Sequence, residues 1–155
     1  MNISIICVGK LKEAFWKDAA GEYIKRLGRF GKVSITELAE SKTDDVSEES
    51  SRICQKLAEL GHGSSASFIF ALDIGGKSYS SEAFAEKINS LGISGISNLI
   101  FVIGGSNGYD DSVRALANER ISFSDFTFPH QLMRVILLEQ IYRSFKINAN
   151  EKYHK

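Results

Sequence analysis

Residues 99–109 read LIFVIGGSNGY, and this stretch decides the fold. Leu99 to Ile103 is an unbroken apolar run, too short for a helix and closed by glycines, which reads as a strand covered on both faces. Such strands belong to parallel sheets, and a loop at their carboxyl end lies where open α/β sheets bind ligands. Working outward, Asn2 to Val8 (NISIICV) and Ser67 to Leu72 (SFIFAL) are two more buried runs, and Val33 to Ala39 alternates as an edge strand should. A further strand is expected at Arg120 to Ser124. Helical spacing fills the intervals. Leu11, Phe15, Ala19, Tyr23 and Leu27 form one stripe; Val46, Ile53, Leu57 and Leu60 another. Ser80 or Ser81 can cap a helix carrying Phe84, Ile88 and Leu91, and a short helix is expected around Ser112 to Ala117. The pattern predicts an α/β chain, a mainly parallel sheet flanked by helices, forming a single domain over residues 1–155.

The C-terminal run TFPHQLMRVILLEQIYRSFKINANEKYHK, residues 127–155, holds the only proline and two of the three histidines. Pro129 suits the first turn of a helix, which nothing interrupts as far as Ile147. Leu132, Met133, Val135, Ile136, Leu137, Leu138, Ile141, Tyr142, Phe145 and Ile147 spread around its whole circumference. A helix apolar on every side is buried on every side. One short chain covers only one side of it, so a homodimer is expected. His130, Arg134, Glu139, Gln140 and Arg143 interrupt the apolar surface, and Glu139 with Arg143 has the i, i+4 spacing of a structural ion pair. The ending Tyr153-His154-Lys155 is a frayed tail by default, unless it folds over a site.

Composition excludes several classes. Nineteen basic residues balance nineteen acidic ones, so no global field advertises a nucleic-acid partner, although Lys10–Lys12 and Lys25–Arg29 are locally basic. Two isolated cysteines, Cys7 and Cys54, suggest reduced thiols and a cytoplasmic setting. There is no CxxC or His/Cys cluster, so no metal site is expected, and no apolar run is long enough to span a membrane. The glycine loop fits neither GxGxxG nor GxxxxGK[ST], which argues against a dinucleotide fold and a P-loop. A tight turn accounts for one or two of its glycines; three within residues 104–108 suggest that a ligand also approaches the backbone. Three strand-exit segments are candidates to line that site: the one after Leu72, the loop from Gly104, and Phe123 to Phe128.

LDIGGK at 72–77, FVIGGSNGY at 101–109 and FPHQLMRVILLEQIYRSFKI at 128–147 with a terminal YHK together resemble the ribosomal RNA large-subunit methyltransferase H family. ICVGKLK and YIKRLGRF near the N-terminus extend the likeness over essentially the whole chain. These are SPOUT-class enzymes that methylate N3 of a pseudouridine in 23S rRNA. The resemblance implies a C-terminal trefoil knot, a homodimer, and S-adenosylmethionine held by Leu72, Gly104 and the segment Phe123, Ser124, Asp125, Phe126, Thr127 and Phe128. It departs at Lys152, where the family usually has proline before the final Tyr-His-Lys. Methyl transfer from a sulfonium needs no metal, but the N3 proton must be removed. His154 is the expected base, with Tyr153 beside it and Arg143 stabilising charge on the ring. The target lies in folded RNA, so its base has to leave the stack. Two rival readings remain open: a SPOUT enzyme acting on a tRNA base, and a dimeric ribosome-binding module without catalysis.

Overall fold

The computed structural model describes residues 1–153; His154 and Lys155 lie outside the described residues. Strand and helix alternate in the order β1 (Asn2–Val8), α1 (Ala14–Leu27), β2 (Lys32–Leu38), α2 (Val46–Glu59), β3 (Ser67–Ser78), α3 (Ser81–Ile93), β4 (Asn98–Ile103), α4 (Asp111–Leu116), β5 (Glu119–Ser122) and α5 (His130–Asn148). The strands form one sheet in the order β2-β1-β4-β3-β5, with every neighbouring pair parallel.

Side chains alternate across a strand, and here both faces are covered. Ile3, Ile5 and Cys7 of β1 and Leu99, Phe101 and Ile103 of β4 pack with α1, α3 and α5. Ile6, Val8, Ile69, Ile100 and Val102 point the other way, toward α2 and α4. This two-sided burial is why those runs carry no polar alternation, whereas β2, at one edge, does. Three helix starts, those of α2, α3 and α4, are capped by short polar side chains: Asp45 accepts from the Ser47 and Glu48 amides, Ser80 from Ala83, and Asp110 from Ser112.

Three details depart from the sequence pattern. Helix α1 begins at Ala14, not Leu11, because the Leu11 amide donates to Glu37 and the Lys12 amide to Gln131. Pro129 precedes α5 as its cap, with extended ψ of 136°, and its carbonyl accepts from the Met133 amide. Strand β3 does not stop at Leu72. It leaves β4 after Ala71↔Val102 and continues beside β5 alone, with Leu72 and Lys77 both opposite Ile121, so that residues 73–76 bulge outward. The parting of β3 from β4 opens the edge of the sheet beyond Ile103.

A cleft at the carboxyl edge and a cluster at the end of α5

Beyond the strand ends lies a cleft of about 410 Å³, within the range of small-molecule sites. The bulge after Leu72, the loop from Gly104 to Tyr109 and the segment after β5 all line it, with His130 and Met133 of α5 closing one wall. Three stretches far apart in sequence thus meet because their strands are adjacent and parallel. Of the expected cofactor contacts, Leu72, Gly104, Phe123, Ser124, Phe126, Thr127 and Phe128 line the cleft; Asp125 is exposed and does not.

The glycine loop has a fuller explanation than ligand approach. A Cβ on Gly104 would lie 2.7 Å from the Gly108 backbone, and one on Gly105 would lie 2.6 Å from Glu49 Oε2. Gly108 itself has φ of +75° and donates its amide to the Gly105 carbonyl. Gly104 and Gly108 are therefore required by the turn itself and Gly105 by the approach of Glu49 from α2, so contacts within the chain account for their number; what points to a ligand is the shared cleft. Tyr109 pins the loop to β3, its hydroxyl donating to the Leu72 carbonyl at 2.8 Å, and burial raises its pKa. The bulge is held by Asp73, which accepts from the Gly75 amide, Arg114 Nε at 3.1 Å and Arg120 Nη1 at 3.3 Å. Burial works against ionisation of Asp73, but these donors outweigh it and lower its pKa. Sequence reasoning missed this acidic anchor, because its two arginines come from α4 and β5.

Two of the residues expected to carry the chemistry, Arg143 and Tyr153, do not line the cleft. Arg143 lies ten residues beyond Met133, roughly 15 Å along the α5 axis from the cleft wall. Both its Nε and Nη2 donate to Glu139 Oε1, at 3.0 and 2.6 Å, so the i, i+4 ion pair is formed. Tyr153 stands edge-on to Tyr142 with centroids 4.9 Å apart, lies 5.0 Å beneath the Arg143 guanidinium, and donates to Glu139 at 3.4 Å. Burial, together with a hydrogen bond to Tyr23 and the Glu139 charge, pushes its hydroxyl up to about 12. The segment before it is anchored too: Glu151 accepts two bonds from Arg29 and one from Lys146. As far as Tyr153 the ending is packed, with Lys152 on its exposed side. His154, the expected base, lies outside the described residues. Among those described, no three His, Cys, Asp or Glu side chains gather into a metal-binding group.

Comparison with known proteins converges on one family. The model for "Predicted SPOUT methyltransferase" matches residues 1–154. The ribosomal RNA large subunit methyltransferase H of Clostridium novyi (strain NT) is 54% identical over 159 residues, and that of Bifidobacterium animalis subsp. lactis (strain AD011) is 52% identical; each comparison covers all of both chains. Among solved structures, the tRNA (m1G37) methyltransferase of Aquifex aeolicus superposes with a TM-score of 0.59 over 92% of this chain and 70% of that one; at 13% identity the likeness speaks for the fold alone. The α/β sheet, the cleft at its carboxyl edge and these full-length similarities agree: the chain belongs to the SPOUT methyltransferase family, alongside the relatives named ribosomal RNA large subunit methyltransferase H.

Proposed function

We propose that this protein is a cytoplasmic enzyme of one domain that methylates N3 of a pseudouridine in 23S rRNA with S-adenosylmethionine, acting as a homodimer on the ribosome. The names of its full-length relatives support the substrate. The observation that carries the reading is the single cleft built from three strand-exit segments.

The cleft suits the cofactor's two halves. Leu72, Ile103, Phe123, Phe128 and Met133 offer apolar walls for an adenine ring, while the backbone of the glycine loop and of residues 123–128 presents polar groups. S-adenosylmethionine, when bound, supplies an electrophilic methyl group. The chain's own residues must then hold the base in line and take the N3 proton. Tyr153 is unsuited to that proton, since a hydroxyl raised to about 12 stays protonated at neutral pH and donates to Glu139. It serves better to position its neighbour, which leaves His154 as the base and Arg143 as the cation facing developing charge on the ring.

Arg143 and Tyr153 do not reach the cleft of their own subunit, so the reading requires a second copy whose α5 brings its tail across. Helix α5 is suited to this. Every residue from 130 to 147 is at least partly buried in one subunit, yet Leu132, Val135 and Ile136 keep open surface for a partner. The family's trefoil knot belongs to the same proposal. No helix among the described residues is long and apolar enough to cross a membrane.

The test is incubation with labelled S-adenosylmethionine and separated tRNA, ribosomal subunits and whole ribosomes. Label in 23S rRNA, mapped to N3 of a pseudouridine, is the expected result. Label in tRNA alone would favour the tRNA enzyme, and tight ribosome binding without transfer would favour the non-catalytic module.

A further inference from the structure

A second cavity, of about 530 Å³, opens under α1 at the carboxyl ends of β1 and β2. Leu11, Ile24 and Ile35 make its apolar floor, and Lys10 and Lys17 stand at its rim. Arg134 forms the back wall with only 1% of its side chain exposed. Its Nη1 donates to Glu37 Oε1 at 2.6 Å and its Nη2 to the Gly9 carbonyl at 3.0 Å. Its Nε is the buried side-chain donor, among the described residues, that has no acceptor.

The charge balance is one-sided. Among the described residues that line the cavity Glu37 is the only carboxylate, and Arg134 already neutralises it. Lys10 and Lys17 are exposed, and their ammonium groups form no ion pair or hydrogen bond with the described residues. The space therefore carries two uncompensated positive charges over an apolar floor. One further residue marks it. Gly21 lies inside α1, where glycine weakens a helix, and a Cβ there would meet nothing within 4 Å. Its absent side chain is not demanded by packing or by the backbone; it leaves the cavity open.

This cavity and the cofactor cleft are neighbours. Met133 lines one and the next residue, Arg134, lines the other, so only the first turns of α5 separate them. An α-helix is roughly 10 Å across with its side chains, a gap that a short stretch of nucleic-acid strand bridges. A chain with balanced charge can hold a polyanion only through local groups of this kind.

We infer that the cavity under α1 is a second RNA-contact site, taking a nucleotide beside the one to be methylated: its base lies against Leu11, Ile24 and Ile35, and its flanking phosphates are neutralised by Lys10 and Lys17. The inference rests on the reading of the protein as an rRNA methyltransferase. Single-stranded nucleic acid is held by a platform for the base ring and cations for the backbone; here aliphatic side chains stand where the platform is usually aromatic.

The experiment compares the full-length protein with a Lys10→Glu/Lys17→Glu double variant and with Gly21→Leu, which fills the cavity. Binding to purified ribosomes is measured by cosedimentation over a range of salt, alongside S-adenosylmethionine calorimetry, light scattering, melting and methyl transfer. The double variant should bind at least tenfold more weakly, and the slope of log affinity against log salt should shrink by about 1.4 to 1.8, the contribution of two phosphate contacts. Gly21→Leu should weaken ribosome binding while its melting temperature holds or rises. Cofactor affinity and oligomeric state should not change in either. Unaltered ribosome affinity and salt slope in the double variant would overturn the inference. So would loss of the dimer in Gly21→Leu, since the cavity would then be covered by a second copy, and so would wild-type protein that binds no ribosome. The two proposals fail separately. Wild-type protein that binds ribosomes through these residues but transfers no methyl group refutes the enzymatic reading alone; full transfer with both variants unaffected refutes the contact site alone.

Discussion

Cys7 shows how burial can dominate a residue's chemistry. Its thiol has no solvent exposure in β1, and burial pushes its pKa from 9.0 up to about 12, against a weaker opposing pull from the Arg134 charge. The folded chain therefore keeps a proton that the unfolded chain gives up. That contribution is complete below pH 9.0 and is lost as pH rises from there toward about 12. Melting temperature should fall across this window, and Cys7→Ala should flatten the alkaline slope. Iodoacetamide at mild pH should modify the partly exposed Cys54 and spare Cys7. The tail raises a different question at the same scale. Because Tyr153 packs on Tyr142, removing residues 153–155 should cost about 1 kcal/mol, the usual worth of an aromatic pair, measurable by denaturant titration. His154→Ala should leave stability and cofactor affinity unchanged while lowering methyl transfer on the order of a hundred- to ten-thousandfold. Near-normal transfer by that variant would remove His154 from the mechanism.

The elements owe their function to where they end. The glycine loop is a turn closed on itself, and its backbone forms one wall of the cleft only because Gly104 lies against Gly108. Gly104→Val should force the loop open at about 1 to 3 kcal/mol, typical of an overpacked site. Cofactor binding by calorimetry should weaken by about ten- to a hundredfold if that cost falls on the bound state. Affinity equal to wild type would place the cofactor away from this loop. Helix α5 also divides its work along its length. Its first turns wall the cleft through His130 and Met133, its middle fills the core through Leu137, Leu138 and Ile141, and its end carries the Arg143–Glu139–Tyr153 cluster.

At the scale of the whole molecule, two adjacent residues of α5 should separate folding from assembly. Leu137 is fully buried inside the subunit, whereas Ile136 is only partly covered. Leu137→Glu places an unpaired carboxylate in the core, a cost of several kcal/mol that should unfold the protein, as seen by circular dichroism. Ile136→Glu should leave a folded monomer by light scattering, with cofactor binding retained and methyl transfer lost, since Arg143 and Tyr153 would no longer reach a cleft. A wild-type monomer at micromolar concentration would refute the dimer.

The sequence by itself determined the fold class and the edge of the sheet where the site lies. The runs NISIICV, SFIFAL and LIFVI are apolar without alternation because both faces of each strand are covered, and that pattern survives in one dimension. The cleft-lining residues were legible for a similar reason, Asp125 excepted: strand exits in a parallel sheet share one edge, and family motifs mark them. Distance and pairing across the fold were not legible. The bulge of β3 depends on β5 passing opposite both Leu72 and Lys77. Asp73 found its arginines on two other elements, and Arg134 met Glu37 from ninety-seven residues away. Likewise only the tertiary structure set Arg143 and Tyr153 apart from the cleft, because the direction in which a rigid helix carries its far end depends on what it packs against. Local hydrophobic period is written residue by residue, whereas the meeting of distant charges is decided by which surfaces the folded core brings face to face.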